Sequence, residues 1–240
     1  MGSPAAIEPV RGSRLGSGRQ PHRRGNDVVI EAGRAVRRDR AARARARSDG
    51  QTLVEFALVL PLFIVLTLSV IEFAFVFNAT LSINYASRDA ALLAAEAGNG
   101  TGADCIILDA VEQDVRGPSD RSQIQQVVIF WADRNGVQIG SNAQVYVRTG
   151  ATSGGNATTC SYPDGTVMTV PYRLAQNGYP ASARCNVLAG CGSPHNGLDR
   201  VGVRITYTHT WKTPLNGVAG LGGNGYTVER SNVMVMEPIL

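Results

Sequence analysis

Two carboxylates interrupt a stretch of sequence that is otherwise apolar. Between Leu53 and Phe77, the charged residues are Glu55 and Glu72. A charge inside a bilayer is costly, so an ionisable residue in such a segment indicates a functional role by default. On a helix the two carboxylates would lie about 25 Å apart along the axis and about 100° apart around it. They would not share a face, and each needs its own explanation.

Each carboxylate also has an interpretation that needs no special chemistry. Glu55 lies two residues inside Leu53, so its carboxylate can reach the cytoplasmic headgroups while its methylene groups stay among lipid tails. We expect Glu72 to reach the outer interface or a neighbouring helix.

The histidines show no catalytic pattern. His195 and His209 have no acidic or serine partner at a recognised spacing. His209 alternates with Tyr207 and Trp211 on a predicted strand, which indicates a surface or cross-strand role. The glycine-rich segment 217–225 follows no phosphate-binding or dinucleotide-binding pattern and predicts a flexible hairpin loop. We therefore expect no catalytic residues, no cofactor and no enzyme activity.

The apolar stretch itself predicts a transmembrane helix. A 25-residue helix rises about 37 Å, more than the ~30 Å hydrocarbon layer. A buried core helix rarely stays apolar all round for so many turns. A cleaved secretory signal has a shorter apolar region, of about 7–15 residues. Pro61 lies mid-span and predicts a kink, which membranes tolerate.

The first 49 residues carry most of the positive charge. They contain twelve arginines and five acidic residues, a net charge of +7, whereas the whole chain carries +4 and the remainder therefore −3. The segment is poor in large apolar residues, so we expect residues 1–50 to form a disordered leader. Positive charge before an apolar span keeps that flank in the cytoplasm. Nucleic-acid binding is the alternative use of this charge, but we expect no such partner.

The helical pattern continues beyond the predicted span. Residues 51–78 form the predicted transmembrane helix, and the alanine-rich residues 79–98 predict its extracytoplasmic continuation. The breaker cluster Gly98-Asn99-Gly100 ends the pattern. We expect one helix of roughly 45 residues, about 68 Å long.

Residues 99–240 predict an extracytoplasmic α+β domain. A second amphipathic helix begins near Asp104, which can cap it, and ends before Gly117. Four strands are then predicted by alternation and by turn signals, with a loop over 149–165; the strands cover residues 123–132, 137–148, 201–211 and 226–236. An antiparallel sheet of about four strands would pack on the exposed half of the first helix.

Four cysteines lie in this exported part of the chain. An even count in an exported region predicts two disulfides among Cys105, Cys160, Cys185 and Cys191, with three possible pairings. Cys185 and Cys191 can close a small loop, and Cys105 would then join the second helix to Cys160. A zinc site of Cys185, Cys191 and His195 is the alternative. Its spacing is not finger-like, so we expect no metal.

The residues around the first carboxylate resemble a processing signal. The string GQTLVEF, residues 50–56, is similar to the cleavage site of type IV prepilins. The longer string over residues 50–95 resembles TadE-type pseudopilins of the tight-adherence (Flp) pilus system, which share the EFAL-x-LP start and an IEF motif near the outer boundary. The closing string SNVMVMEPIL also resembles the last strand of that family.

The resemblance implies a role for each residue of the signal. A prepilin peptidase would cut between Gly50 and Gln51, which places Glu55 fifth in the mature chain and the aromatic Phe56 after it. In pilin assemblies the equivalent carboxylate pairs with the amino terminus of a neighbouring subunit, so Glu55 would pair with Gln51 of another copy. The resemblance further implies a pilin-like fold, with other pilins or pseudopilins, the pilus assembly platform and the lipid bilayer as partners.

Two classes of function fit these observations. The resemblance implies a minor pilin or pseudopilin in the inner (cytoplasmic) membrane, single-pass, with its N-terminus cytoplasmic and its C-terminal domain outside, which can enter a surface pilus for attachment. The alternative is an unprocessed single-span protein whose exported domain binds a ligand or the cell envelope. A pseudopilin must lose residues 1–50 and needs Glu55, whereas an anchor needs only a hydrophobic span.

Overall fold

The computed structural model describes residues 27–117, 119–214 and 225–238, with side chains from residue 50 onward. The chain divides into two compact units, Met1–Pro61 and Leu62–Leu240.

Helix α1 spans Asp27–Ala97. It begins well before the predicted span. Residues 27–49 of the predicted leader are helical rather than disordered. Alanine and arginine, which dominate that stretch, are both strong helix formers. The first 26 residues of the predicted leader lie outside the described residues.

The C-terminal part of α1 supplies one wall of the core in the second unit. A stripe of small and aliphatic side chains is fully buried at helical spacing; it comprises Ala79, Ile83, Ala86, Ala90 and Ala94. The helix ends at Ala97, and Gly98 follows in the left-handed region at φ +58°. The predicted breaker cluster is confirmed, since this conformation at the residue after a helix favours glycine.

Helix α2 spans Ala103–Asp114. The predicted cap is wrong: Gly102 occupies the N-cap position, without a side-chain cap. Asp104 lies in the first turn and is buried, where it accepts hydrogen bonds from Arg184 and from the Tyr146 hydroxyl. The Asp104 carboxylate therefore binds the buried Arg184 guanidinium instead of capping the helix.

Seven strands occur within the described residues, all in antiparallel pairs. They are β1 (Ile124–Ala132), β2 (Gln138–Arg148), β3 (Thr158–Ser161), β4 (Val167–Val170), β5 (Tyr172–Asn177), β6 (Arg200–His209) and β7 (Tyr226–Val235). Three short 3-10 helices cover Arg121–Gln123, Gly154–Asn156 and Ala181–Ala183. The main sheet has the order β5-β2-β1-β6-β7, and β3 and β4 form a separate hairpin.

The α+β class and the antiparallel sheet are confirmed, and the main sheet has one strand more than expected. Strand β3 lies within the predicted loop, and β4 and β5 also had no prediction. All three are short, and β3 and β5 are polar, so their alternation is weak. Tertiary contacts hold them in place, including the Cys105–Cys160 disulfide and a hydrogen bond from Thr158 Oγ1 to the carbonyl of Tyr172.

The main core lies on the face of the sheet that α1 and α2 cover. Alternate residues of β1 and β6, such as Val127, Ile129 and Val203, point into it. The opposite face carries a smaller cluster around Phe130, whose ring lies 4.8 Å from the Arg204 guanidinium. Both faces of the central strands are therefore partly covered by apolar or aromatic contacts.

Candidate functional site

The predicted processing signal lies on an exposed stretch of α1 in the first unit. Gly50, Gln51, Glu55 and Phe56 are all exposed, and no further atom lies within 4 Å of the position that a side chain at Gly50 would take. Gln51 and Glu55 are four residues apart, so they lie on one face of the helix. Pro61 lies inside the same helix, and the kink expected there stays a prediction.

The residues after the signal form an apolar helical surface. Among the described residues, the part of α1 over Gly50–Ala97 is long and apolar enough to cross a membrane. Its most apolar stretch of 18 residues has a mean hydropathy of 2.5, and none of that stretch is buried inside the protein. Large side chains such as Leu58, Phe63 and Phe73 are more than half exposed. A helix that is apolar all round requires an apolar solvent. The helix is therefore compatible with a single-pass membrane anchor.

The second carboxylate of the apolar segment lies in a buried site of its own. Glu72 is 3% exposed, and one carboxylate oxygen lies 2.9 Å from Nε2 of His209. The backbone N–H of Lys212 donates to the carboxylate at 3.1 Å, and that of Thr213 donates at 2.8 Å. We call Glu72 together with His209, Lys212 and Thr213 the Glu72 clasp. It joins α1 to the end of β6 within the second unit.

The clasp forms where β6 ends. Beyond His209 the chain leaves the sheet, so the backbone N–H groups of residues 212 and 213 lose the ladder partners that a strand would supply. Buried backbone donors need acceptors, and Glu72 provides them. His209 follows Ile205 and Tyr207 on the buried face of β6, where its imidazole is 2% exposed.

The clasp corrects two predictions. Glu72 was expected to reach the outer interface or another helix, and His209 to lack an acidic partner and lie at the surface or across a strand. Glu72 and His209 are 137 positions apart in the sequence, and no local spacing can reveal such a pair. The alternation of side chains along the strand could have predicted that His209 is buried, because His209 lies on the same face as the buried Tyr207. A buried imidazole needs a polar partner.

His195 also has an acidic partner, contrary to prediction. Its Nδ1 lies 2.7 Å from Oδ1 of Asp199, and its ring stacks on Trp131 with centroids 4.3 Å apart. Asp199 further accepts from the Tyr179 hydroxyl at 2.7 Å and from the backbone N–H of Cys185 at 2.9 Å. Burial, followed by this bond to Asp199, raises the pKa of Tyr179, so the phenol stays a donor. The cluster packs the loop before β6 against the sheet.

Both disulfides join the cysteines in the expected pairing. Cys105 pairs with Cys160 and thereby ties α2 to β3, and Cys185 pairs with Cys191. The alternative zinc site is wrong, because a disulfide removes the two thiolates that it required.

A third buried group anchors the end of α2 to the sheet. Glu112 accepts from Nε of Arg148 at 2.7 Å and from the Tyr172 hydroxyl at 2.8 Å. Burial and the neighbouring Glu112 carboxylate raise the pKa of Tyr172 well above its ordinary value. The predicted hairpin loop at 217–225 lies outside the described residues except for Gly225.

Comparison with known families identifies the helical segment. Residues 50–92 match the family model described as TadE-like protein. The chain is TadE-like over this segment. The match begins at Gly50 of the predicted processing signal and extends through the apolar helix into the alanine-rich continuation. It confirms the resemblance seen in the sequence and relates the chain to the Tad pilus system. No curated protein and no solved structure matches the chain.

Proposed function

We propose that this TadE-like chain is a minor pilin or pseudopilin, cut after Gly50 by a prepilin peptidase, that contributes to assembly of a tight-adherence pilus for surface attachment. The observation that carries the proposal is the family match, which starts at Gly50 itself. A cut there would leave Gln51 as the first residue of a chain whose apolar helix follows at once.

The surroundings of the proposed cut support access by a protease. Gly50 and Gln51 are exposed, and the space beside Gly50 is open. A residue without a side chain lets another protein approach the backbone closely. Placing a branched side chain at 50 should obstruct that approach.

The proposed role of Glu55 is to bind a new amino terminus. Cleavage would give Gln51 an ammonium group at the end of an apolar helix. A carboxylate and an ammonium in hydrocarbon each lose hydration, and pairing them avoids leaving two buried charges without partners. Glu55 of one copy would therefore pair with the amino group of Gln51 of a neighbour and set the register between adjacent helices.

The proposed location is the inner membrane, with the N-terminus cytoplasmic and the domain after the span outside. Twelve arginines before the span support that orientation, as do two disulfides after it. Some copies of the protein can enter a surface pilus as subunits. The proposed role is structural rather than catalytic, since His195 and His209 are both engaged by buried carboxylates within the domain.

Substitution at the cut tests the proposal in cells that contain the peptidase. Gly50→Val should retain residues 1–50, as read by the mass of the membrane protein. Ala57→Val adds similar bulk to the same helix away from the cut and should be processed normally. Glu55→Leu should be cleaved but should fail to assemble. Normal loss of the leader in Gly50→Val would contradict the proposal, and normal function of Glu55→Leu would favour an unprocessed membrane anchor.

A further inference from the structure

A groove of about 470 Å³ lies beside the Glu72 clasp, entirely within the second unit. One wall is the outer end of the apolar helix, with Phe73, Val76 and Phe77. The other is formed by Trp211, just after β6, and Tyr226, at the start of β7. The volume falls within the ~300–1,000 Å³ typical of small-molecule sites.

The polar side chains that α1 contributes to the groove already have partners within the chain. The hydroxyl of Ser69 donates to the carbonyl of Val65 at 2.8 Å, and that of Thr80 donates to the carbonyl of Val76 at 2.9 Å. Glu72 accepts the hydrogen bonds of the clasp. A polar ligand would find little to bind here, so the groove suits a hydrocarbon.

The groove continues the apolar surface of the predicted span. Phe73 and Phe77 line it and are also 70% and 55% exposed, so their rings face both the groove and the surroundings of the helix. Tryptophan and tyrosine favour the membrane–water interface, where one side of the ring meets hydrocarbon and the other meets headgroups. The hydrocarbon available at this level of the helix is the acyl chain of a lipid.

We propose that the groove binds one acyl chain of a membrane phospholipid, with the lipid phosphate near Lys212. Lys212 follows Trp211 and is exposed, and its backbone N–H is fixed by the clasp. Lys212 lies beside the groove rather than in its lining, and its ammonium also interacts with the Asp120 carboxylate; from there it would complement an anionic phosphate at headgroup level. A bound lipid would fill the space between the helix and the strand ends. This proposal requires the membrane span but does not depend on cleavage at Gly50.

Quenching of Trp211 fluorescence by brominated lipid tests the site in the full chain. The chain has two tryptophans, so Trp131→Phe leaves Trp211 as the reporter. The protein is reconstituted in vesicles of phosphatidylglycerol and phosphatidylcholine, with or without bromine at the middle of the acyl chains. We expect strong quenching by the brominated vesicles and protection from aqueous iodide.

Two further variants separate binding in the groove from general contact with the bilayer. Ser69→Phe places a ring in the groove and should abolish most of the quenching. Val70→Phe adds the same ring to an exposed neighbour that does not line the groove, and should leave quenching unchanged. Equal quenching in both variants would overturn the proposal, as would quenching of Trp211 by iodide instead of lipid. Shielding of Trp211 from both quenchers would also overturn it, because a protein segment would then cover the groove.

A photo-crosslinker at position 76 gives an independent result in a chain that keeps both tryptophans. Benzoylphenylalanine in place of Val76 should gain the mass of a phospholipid after irradiation. A crosslink to a second copy of the chain instead would overturn the proposal and assign the groove to a protein interface.

Discussion

At the scale of single residues, Glu55 and Glu72 have the same chemistry and lie on the same helix, but their surroundings differ. Glu55 is exposed, with its proposed partner on another molecule. Glu72 is buried and bonded to His209 and to the backbone after β6. Among the described residues, one carboxylate is free of contacts that would hold it in the fold, and the other holds the α+β domain on its helix. Their substitutions should therefore have different consequences.

Glu72→Leu should destabilise the second unit by about 2–4 kcal/mol, because it leaves buried N–H groups and the His209 imidazole without their acceptor. Thermal unfolding of the full chain in detergent measures the loss. Glu55→Leu is the matched control on the same helix, and the unfolding of that domain should be unchanged. Equal melting of the two variants would contradict the structural role of the clasp.

Asp114 should make the domain less stable as the pH rises. Desolvation, followed by the charge of Asp89, raises its pKa above the ordinary value of 3.8. The folded state then holds this proton more tightly than the unfolded state, so stability falls as the pH rises from 3.8 through the raised pKa. Asp114→Asn should flatten that slope in pH-dependent melting and add at most about 0.5 kcal/mol at neutral pH, since the site is exposed.

Asp120 should have the opposite effect on how stability depends on pH. Hydrogen bonds from Ser122 lower the pKa of its carboxyl group. Its contribution to stability is therefore present above the ordinary pKa and is lost as the pH falls through the lowered value. Asp120→Asn should steepen the net fall of stability with rising pH. A shift of the same sign in both variants would contradict the assigned interactions.

At the scale of elements, buried ion pairs hold α2 near both of its ends, to the loop before β6 at one end and to β2 at the other. Asp104 in its first turn meets Arg184, and Glu112 near its last turn meets Arg148. The amphipathic pattern of this segment was sufficient to predict the helix. The partners of its carboxylates come from strands and loops far along the chain, and the local sequence suggested only a cap.

Arg148→Ala should cost about 3 kcal/mol of unfolding free energy, because it leaves the buried Glu112 carboxylate without its main cation. Urea unfolding of the full chain in detergent provides the measurement. Arg173→Ala, on the exposed neighbouring strand β5, should change stability by less than about 0.5 kcal/mol. If the two variants unfold at the same urea concentration, Glu112 does not depend on Arg148.

The elements that could be predicted are those with strong local patterns. The apolar span, the β1–β2 hairpin and β6 follow from length, turn residues and alternation. Strands β3, β4 and β5 could not be predicted, because their positions depend on a disulfide and on contacts between distant segments. The clasp was missed for the same reason, since Glu72 and His209 come together only after the sheet has placed the end of β6 beside the helix.

At the scale of the whole molecule, the described chain combines an apolar helix, long enough to cross a membrane, with a disulfide-bonded α+β domain. The two disulfides constrain very different lengths of chain, with sequence separations of 55 and 6 residues. A longer closed loop removes more entropy from the unfolded state. The disulfides should therefore differ in their contribution to stability.

Replacing Cys105 and Cys160 together by serine should cost about 4 kcal/mol, against about 2 kcal/mol for the Cys185 and Cys191 pair, on the chain-entropy estimate. Thermal unfolding of the full chain in detergent, with each double variant as the control for the other, tests this order. A larger loss from the short loop would show that local contacts around Asp199, rather than chain entropy, dominate.

The proposed function requires that the mature protein begin at Gln51. Intact mass and N-terminal sequencing of the protein purified from membranes test this start, with cells lacking the prepilin peptidase as the control. We expect a mature chain that starts at Gln51, and a chain that retains residues 1–50 in the control cells. Mature protein from peptidase-containing cells with residues 1–50 still attached would contradict it.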